Sequence, residues 1–226
     1  MEQTQNNWTG KTMLFLVSQC ITLFGSMIVQ VSIIWYVTLK TSSGGWVAAF
    51  TICSYLPQFL ISFFVGVWAD RYSRKKLILL ADGVITIATL IMFVIMPMIS
   101  SDFVLLSALL VISIIRSIGA GVQTPAVNAV IPQLVPEEYL MKYNGINATM
   151  QSIVQFAAPA VAGTVLSIGT FRSTLFIDIL TALLGIGLLS CVLLPKQEAS
   201  NENVSVLSEI KAGICYSFSD KIIGKI

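Results

Sequence analysis

Three charged residues stand inside stretches that are otherwise apolar: Asp82, Arg116 and Asp178. An arginine near the middle of a membrane span costs at least ~2.5–3.5 kcal/mol on insertion scales, so Arg116 needs a partner or a task. With apolar runs placed at 77–96 and 103–123, Asp82 lies ~8 Å and Arg116 ~11 Å from one side of the membrane, at about 1.5 Å per residue. Matched in depth, the two can pair and order their helices. Asp178 stands in the outer third of its run, and it either titrates or is held by hydrogen bonds.

Uncharged polar residues form a second pattern. Gln19, Ser26 and Gln30 fall near one helical face of the first apolar run, and Gln123 closes the fourth. Asn144, Asn147, Gln151 and Gln155 recur at three- and four-residue spacing in the fifth. Polar groups within a span turn toward other helices or a wet cavity, not toward lipid. The chain has no histidine, which removes Ser/His and Cys/His nucleophile pairs and histidine metal sites. Cys20, Cys53, Cys191 and Cys215 form no C-x-x-C pair and read as small apolar residues. An intramembrane enzyme is disfavoured, and no cofactor or metal is expected.

The elements that must position these residues follow from hydropathy. Of 226 residues 56% are hydrophobic and 11% charged; a soluble domain carries about 25% charged residues. Six runs meet the length of about 20 residues that a spanning helix needs. They lie near Thr12–Leu39, Trp46–Ala69, Leu77–Met96, Phe103–Gln123, Tyr139–Ile168 and Ser173–Leu194. No alternating ten-residue segments suggest a β-barrel. The predicted organisation is a polar N-terminus (1–11), a six-helix bundle (12–194) and a polar linker (195–226). Pro125, Pro132 and Pro136 mark a long connection, with a short helix after Pro136. In the linker, Val204, Leu207, Ile210, Ile214 and Phe218 recur as an amphipathic helix suited to a membrane surface. Basic residues at 71–76, Lys142, Lys196 and Lys211 place both termini in the cytoplasm and Lys40 and Arg172 outside. The basic residues sit in loops, so nucleic acid is not an expected partner.

The stretch Gly66-Val67-Trp68-Ala69-Asp70-Arg71-Tyr72-Ser73-Arg74-Lys75-Lys76 joins the second and third runs. An acid such as Asp70 at a helix C-terminus is unfavourable unless a cation or another helix N-terminus compensates it. Gly66, one turn earlier, permits close helix approach. The pattern G-x-x-x-D-R-x-x-R-K-K resembles the loop between helices 2 and 3 of the major facilitator superfamily, in its drug-efflux branch with the macrolide efflux proteins. Arg116 to Gly121 resembles that family's R-x-x-G-x-G motif. Ala158 to Gly163, with Pro159, resembles its helix-5 antiporter motif G-P-x-x-G-G, with alanine at 158 and 162 where the motif has glycine.

The resemblance covers the first half of a family member. It implies an all-α membrane protein of six transmembrane helices in a 3+3 inverted repeat, within the plasma membrane. An internal echo agrees: Lys76 precedes Asp82 by six residues, as Arg172 precedes Asp178. By resemblance, Asp70 with Gly66, Arg71, Arg74, Lys75 and Lys76 latches one conformation; by residue type alone, the basic cluster only sets topology. By the same resemblance Arg116 is linked to proton coupling, for which Asp82 and Asp178 are further candidates; a structural ion pair is the alternative. Gln19, Gln30 and Gln123 line the cavity, and Gln151, Gln155, Pro159 and Gly163 belong to the helix-5 motif. The implied activity is proton-coupled export of hydrophobic, macrolide-like drugs. The expected partners are lipid, a hydrophobic small molecule, and a second six-helix half or a homodimer mate. The alternative is a non-transporting truncated product, or a half that assembles with a separate partner.

Overall fold

The structure, a computed structural model, describes residues 2–192, without the side chains of 2–7, 66, 67 and 69–71. The expected helix at 204–218 lies outside the described residues. Six helices follow one another: α1 (Glu2–Thr41), α2 (Gly44–Arg71), α3 (Arg74–Ile95), α4 (Asp102–Leu134), α5 (Leu140–Ile168) and α6 (Phe171–Cys191). Each contains a stretch long and apolar enough to cross a membrane, with mean hydropathy from 1.3 to 2.5. Within lipid the helix is the form that satisfies every backbone polar group inside one segment.

The packing reproduces the expected inverted repeat. α1 packs on α5 and α6, while α4 packs on α2 and α3. Exchanging the triplets α1–α3 and α4–α6 maps one set of neighbours onto the other, as a two-fold in the membrane plane requires. α2 and α5 bury the least of their surface within the bundle.

Two apolar clusters close the bundle at its ends. Near the 71–76 loop, Phe15, Leu16, Ile78, Val130, Ile131 and Leu189 are fully buried together. At the opposite end Val29, Val37, Phe50, Met92, Leu109 and Leu175 do the same. Between them runs a polar belt: Ser18, Gln19, Thr22, Asp82, Thr86, Thr89, Ser113, Arg116, Ser117 and Asp178 are all buried. Several hydroxyls bond back to their own helix, as Thr22 does to the Ser18 carbonyl (3.1 Å) and Ser113 to that of Leu109 (2.8 Å).

α4 corrects the expected end of the fourth span at Gln123. The helix continues through Pro125 and Pro132 to Leu134, 33 residues in all. Proline removes a backbone donor and crowds the preceding turn, but a packed membrane helix tolerates this where a neighbour re-satisfies the loosened carbonyl. One rung on from the Asn128 carbonyl that Pro132 leaves without its N–H, the Arg74 guanidinium, from α3, donates to the Ala129 carbonyl. The long connection shrinks to Val135, Pro136 and a single 3₁₀ turn at Glu137–Tyr139, so the short helix after Pro136 is present.

Candidate functional site: a buried ion pair and two small cavities

Arg116 pairs with Asp178, its Nη1 lying 2.5 Å from Oδ2, and both side chains are more than nine-tenths buried. The same nitrogen donates to the Thr89 hydroxyl, which in turn lies 2.9 Å from Asp178 Oδ2. Nη2 donates to the Ser26 carbonyl (3.2 Å) and hydroxyl (3.1 Å). One guanidinium thus ties together α1, α3, α4 and α6. Its planar fork, with five donors in fixed directions, suits such a junction.

This corrects the expected Asp82–Arg116 pair. With α4 reaching Leu134, Arg116 is about 27 Å from the loop end of its helix, at 1.5 Å per residue. Helical side chains also lean toward the helix N-terminus, here the end marked by Asp102. Asp178 stands only seven residues into α6 from that same end, whereas Asp82 stands eight residues into α3 from the other. Asp82 is 1% exposed, and neither carboxyl oxygen finds a hydrogen-bond partner among the described residues.

The predicted cavity residues divide between two spaces. A cleft of about 60 Å³ between α1, α4 and α5 is lined by Leu16, Gln19, Cys20, Gln123, Asn147, Met150 and Gln151 among others. Across it Gln123 donates to Gln19 (3.4 Å); beside it Gln19 donates to Ser18 on the same helix (3.3 Å) and Asn147 to Asn128 (3.3 Å). Gln30 instead opens on a second space of about 30 Å³ with Ser26, Gln58, Ser113 and Arg116. Gln155 is exposed on α5, away from both. Pro159 lies inside α5 without ending it. A Cβ at Gly163 would stand 2.9 Å from the Trp35 indole, so glycine there admits the ring.

Two cations of the 71–76 stretch act as braces. Arg74 holds the Ala129 carbonyl as described, and Lys75 Nζ caps α6 through the carbonyls of Ser190 (2.9 Å) and Val192 (2.7 Å). Terminal helix carbonyls lack intrahelical donors, so a lysine there completes them. Lys76 is exposed. The surroundings of Gly66 and the side chains of Asp70 and Arg71, and with them the expected latch, lie outside what the structure describes. Residue spacing alone did not mark Thr89 and Ser117 as site residues. Each takes its role from a neighbouring helix, and the adjacency of Ser117 to Arg116 was the one available signal.

A bundle of six spans with inverted packing, a buried ion pair and a polar cleft defines a multi-pass helical membrane protein. Residues 15–215 match the Major Facilitator Superfamily, and the chain belongs to that family. Macrolide efflux protein A of Streptococcus pyogenes is 34% identical over 191 residues, which is 84% of this chain and 46% of that protein. Macrolide efflux protein A of Enterococcus faecalis is 33% identical over 150 residues, 66% of this chain and 46% of that one. The staphyloferrin A transporter of Staphylococcus aureus is 23% identical over 157 residues, 70% of this chain and 39% of that one. The chain therefore spans about half the length of the curated relatives it matches. Among solved structures, a bacterial homologue of the human lysosomal transporter Spinster, inward-facing and unoccupied, superposes with a TM-score of 0.62. It covers 93% of this chain and 48% of that one, at 17% identity, which speaks for the fold.

Proposed function

We propose that the chain forms one wall of a proton-coupled exporter of hydrophobic, macrolide-like drugs in the plasma membrane, with both termini in the cytoplasm. The observation that carries this reading is the cleft between α1, α4 and α5. Apolar Leu16 and Met150 alternate there with the amides of Gln19, Gln123, Asn147 and Gln151. A mostly apolar surface with a few placed polar groups is what a drug-sized ligand requires. The kinship with macrolide efflux proteins points to the same substrate class.

The cleft of about 60 Å³ is far smaller than the several hundred Å³ that such ligands occupy. The other wall comes from a second six-helix bundle, either further chain or a second copy. Alternating access then arises as one bundle rocks against the other about a midplane site. Coupling draws on charge count: among the described residues the buried charged side chains are Asp82, Asp178 and Arg116, two acids to one base. One added proton balances them. Asp70, at the end of α2, latches one state of the cycle.

Macrolide accumulation in a drug-sensitive host tests the reading. The chain is expressed alone and together with the second half of the Streptococcus pyogenes relative, with cross-linking to establish oligomeric state. Accumulation is expected to fall only where two bundles assemble, and to recover when a protonophore collapses the gradient. Energy-dependent efflux by a demonstrable monomer refutes the two-wall mechanism, and efflux indifferent to the protonophore refutes proton coupling.

A further inference from the structure

α2 contains Pro57 in its interior. Proline offers no N–H to the Cys53 carbonyl, and its ring crowds the turn before it. One rung further on, a regular α-helix joins the Gln58 N–H directly to the Ser54 carbonyl. Here the hydroxyl of Ser117, on α4, stands at both groups. It accepts from the Gln58 N–H at 3.0 Å and donates to the Ser54 carbonyl at 2.7 Å. Side-chain insertion into the helical ladder is a recognised cause of a sharp bend.

The neighbourhood is built for this approach. Four residues after Ser117, a Cβ at Gly121 would stand 2.8 Å from the Gln58 carbonyl oxygen. Glycine lets the α4 backbone close on α2 at the same turn. α2 buries little elsewhere and packs chiefly on α4. Ser117 also follows Arg116 directly, so a rotation of α4 that rearranges the guanidinium carries the hydroxyl with it.

We propose that Ser117 is a positioning residue for α2: its hydroxyl is a removable rung through which α4 sets the course of the helix at Pro57. Withdrawing it leaves the Gln58 N–H and Ser54 carbonyl to find each other or water. The course of the helix at Pro57 then changes, and the 66–76 segment at the far end of α2 moves with it.

Hydrogen–deuterium exchange of the 54–61 peptide, in the full chain reconstituted in lipid nanodiscs, tests this without any reference to transport. Ser117→Ala is expected to speed exchange about ten-fold, as the loss of a buried hydrogen-bonded link implies. In a Pro57→Ala background, where the ladder can close by itself, the same substitution is expected to change exchange less than about two-fold. Equal acceleration in both backgrounds would mean that Ser117 only fills space, and the proposal falls. Absence of acceleration beside Pro57 overturns it equally. If Ser117→Ala does not fold, Pro57→Ala/Ser117→Ala must recover the folded chain; failure to recover it also overturns the proposal.

Discussion

Removing either member of the Arg116–Asp178 pair leaves the other charge buried without its counterion. The pair spans 2.5 Å, with 7% and 2% of the two side chains exposed. Breaking a buried ion pair from one side costs about 3–5 kcal/mol, whereas replacing both partners by apolar residues of similar volume is often neutral. Asp178→Leu and Arg116→Met are each expected to destabilise the bundle by about that amount, and the double variant by about 1 kcal/mol or less. The coupling energy is then about 5 kcal/mol or more in magnitude, well above the ~0.5 kcal/mol scatter of independent sites. Thr89 and Ser26 remain as polar neighbours of the vacated space, so the double variant need not reach full neutrality. Reversible unfolding in mixed lipid–detergent micelles measures each corner of the cycle. A parallel cycle with Asp82→Leu and Arg116→Met is expected to show a much weaker coupling, because the structure gives that pair no bond. Additivity at 116 and 178, or strong coupling at 116 and 82, would refute the assignment.

Three further outcomes are expected. Single cysteines at Ser42 and Ser73, in a cysteine-free background, report topology: an impermeant reagent on intact cells is expected to label 42 and spare 73, and the reverse overturns the proposed orientation. Lys75→Met, which removes the cap on the Ser190 and Val192 carbonyls, is expected to cost about 1 kcal/mol in thermal or chemical unfolding. Exposed Lys76→Met is expected to stay within about 0.5 kcal/mol, and equal losses at the two positions contradict the brace. Gly121→Ala puts a methyl against the Gln58 backbone and is expected to cost about 1–3 kcal/mol. Gly83→Ala meets nothing within 4 Å and is expected to be neutral or slightly stabilising, which the same unfolding measurement decides.

The spans and their inverted order were legible because hydropathy over twenty residues outweighs local detail. Helix ends were legible to within a few residues, except at the start of α1, where the polar residues expected outside the helix join it from Glu2 rather than Thr12, and at the end of α4. There Pro125 and Pro132 were read by the habits of soluble helices, where proline ends a segment. In the bundle the helix runs on through both, with Arg74 bound to the Ala129 carbonyl in the turn before Pro132. That single misplacement moved Arg116 toward the wrong end and matched it with Asp82. Its true partner, Asp178, was visible as a buried acid, but its neighbour was not, because the choice depends on which way a side chain leans along α4. The cavity residues were legible as polar positions at helical spacing. Their division into two spaces, with Gln30 beside Arg116 and Gln19 beside Gln123, required the relative rotation of α1 and α4. Lys75 was read as a topological charge because the carbonyls it caps belong to a helix that begins about a hundred residues later.

The crossed packing also constrains how such a bundle is made. α1 rests mainly on α5 and α6, and α4 on α2 and α3, so few contacts join helices of the same triplet. When a ribosome has delivered only the first three spans, almost none of their eventual neighbours exists. Until α4 enters the bilayer, the turn of α2 at Pro57 has no Ser117 to meet, and Thr89 on α3 has no guanidinium to accept. The early spans must therefore be sheltered by the insertion machinery, or wait in lipid as separate helices, until the second triplet threads between them. Assembly is a late closure, not a helix-by-helix accretion. A nascent chain stalled near residue 100 would be a natural client for membrane quality control.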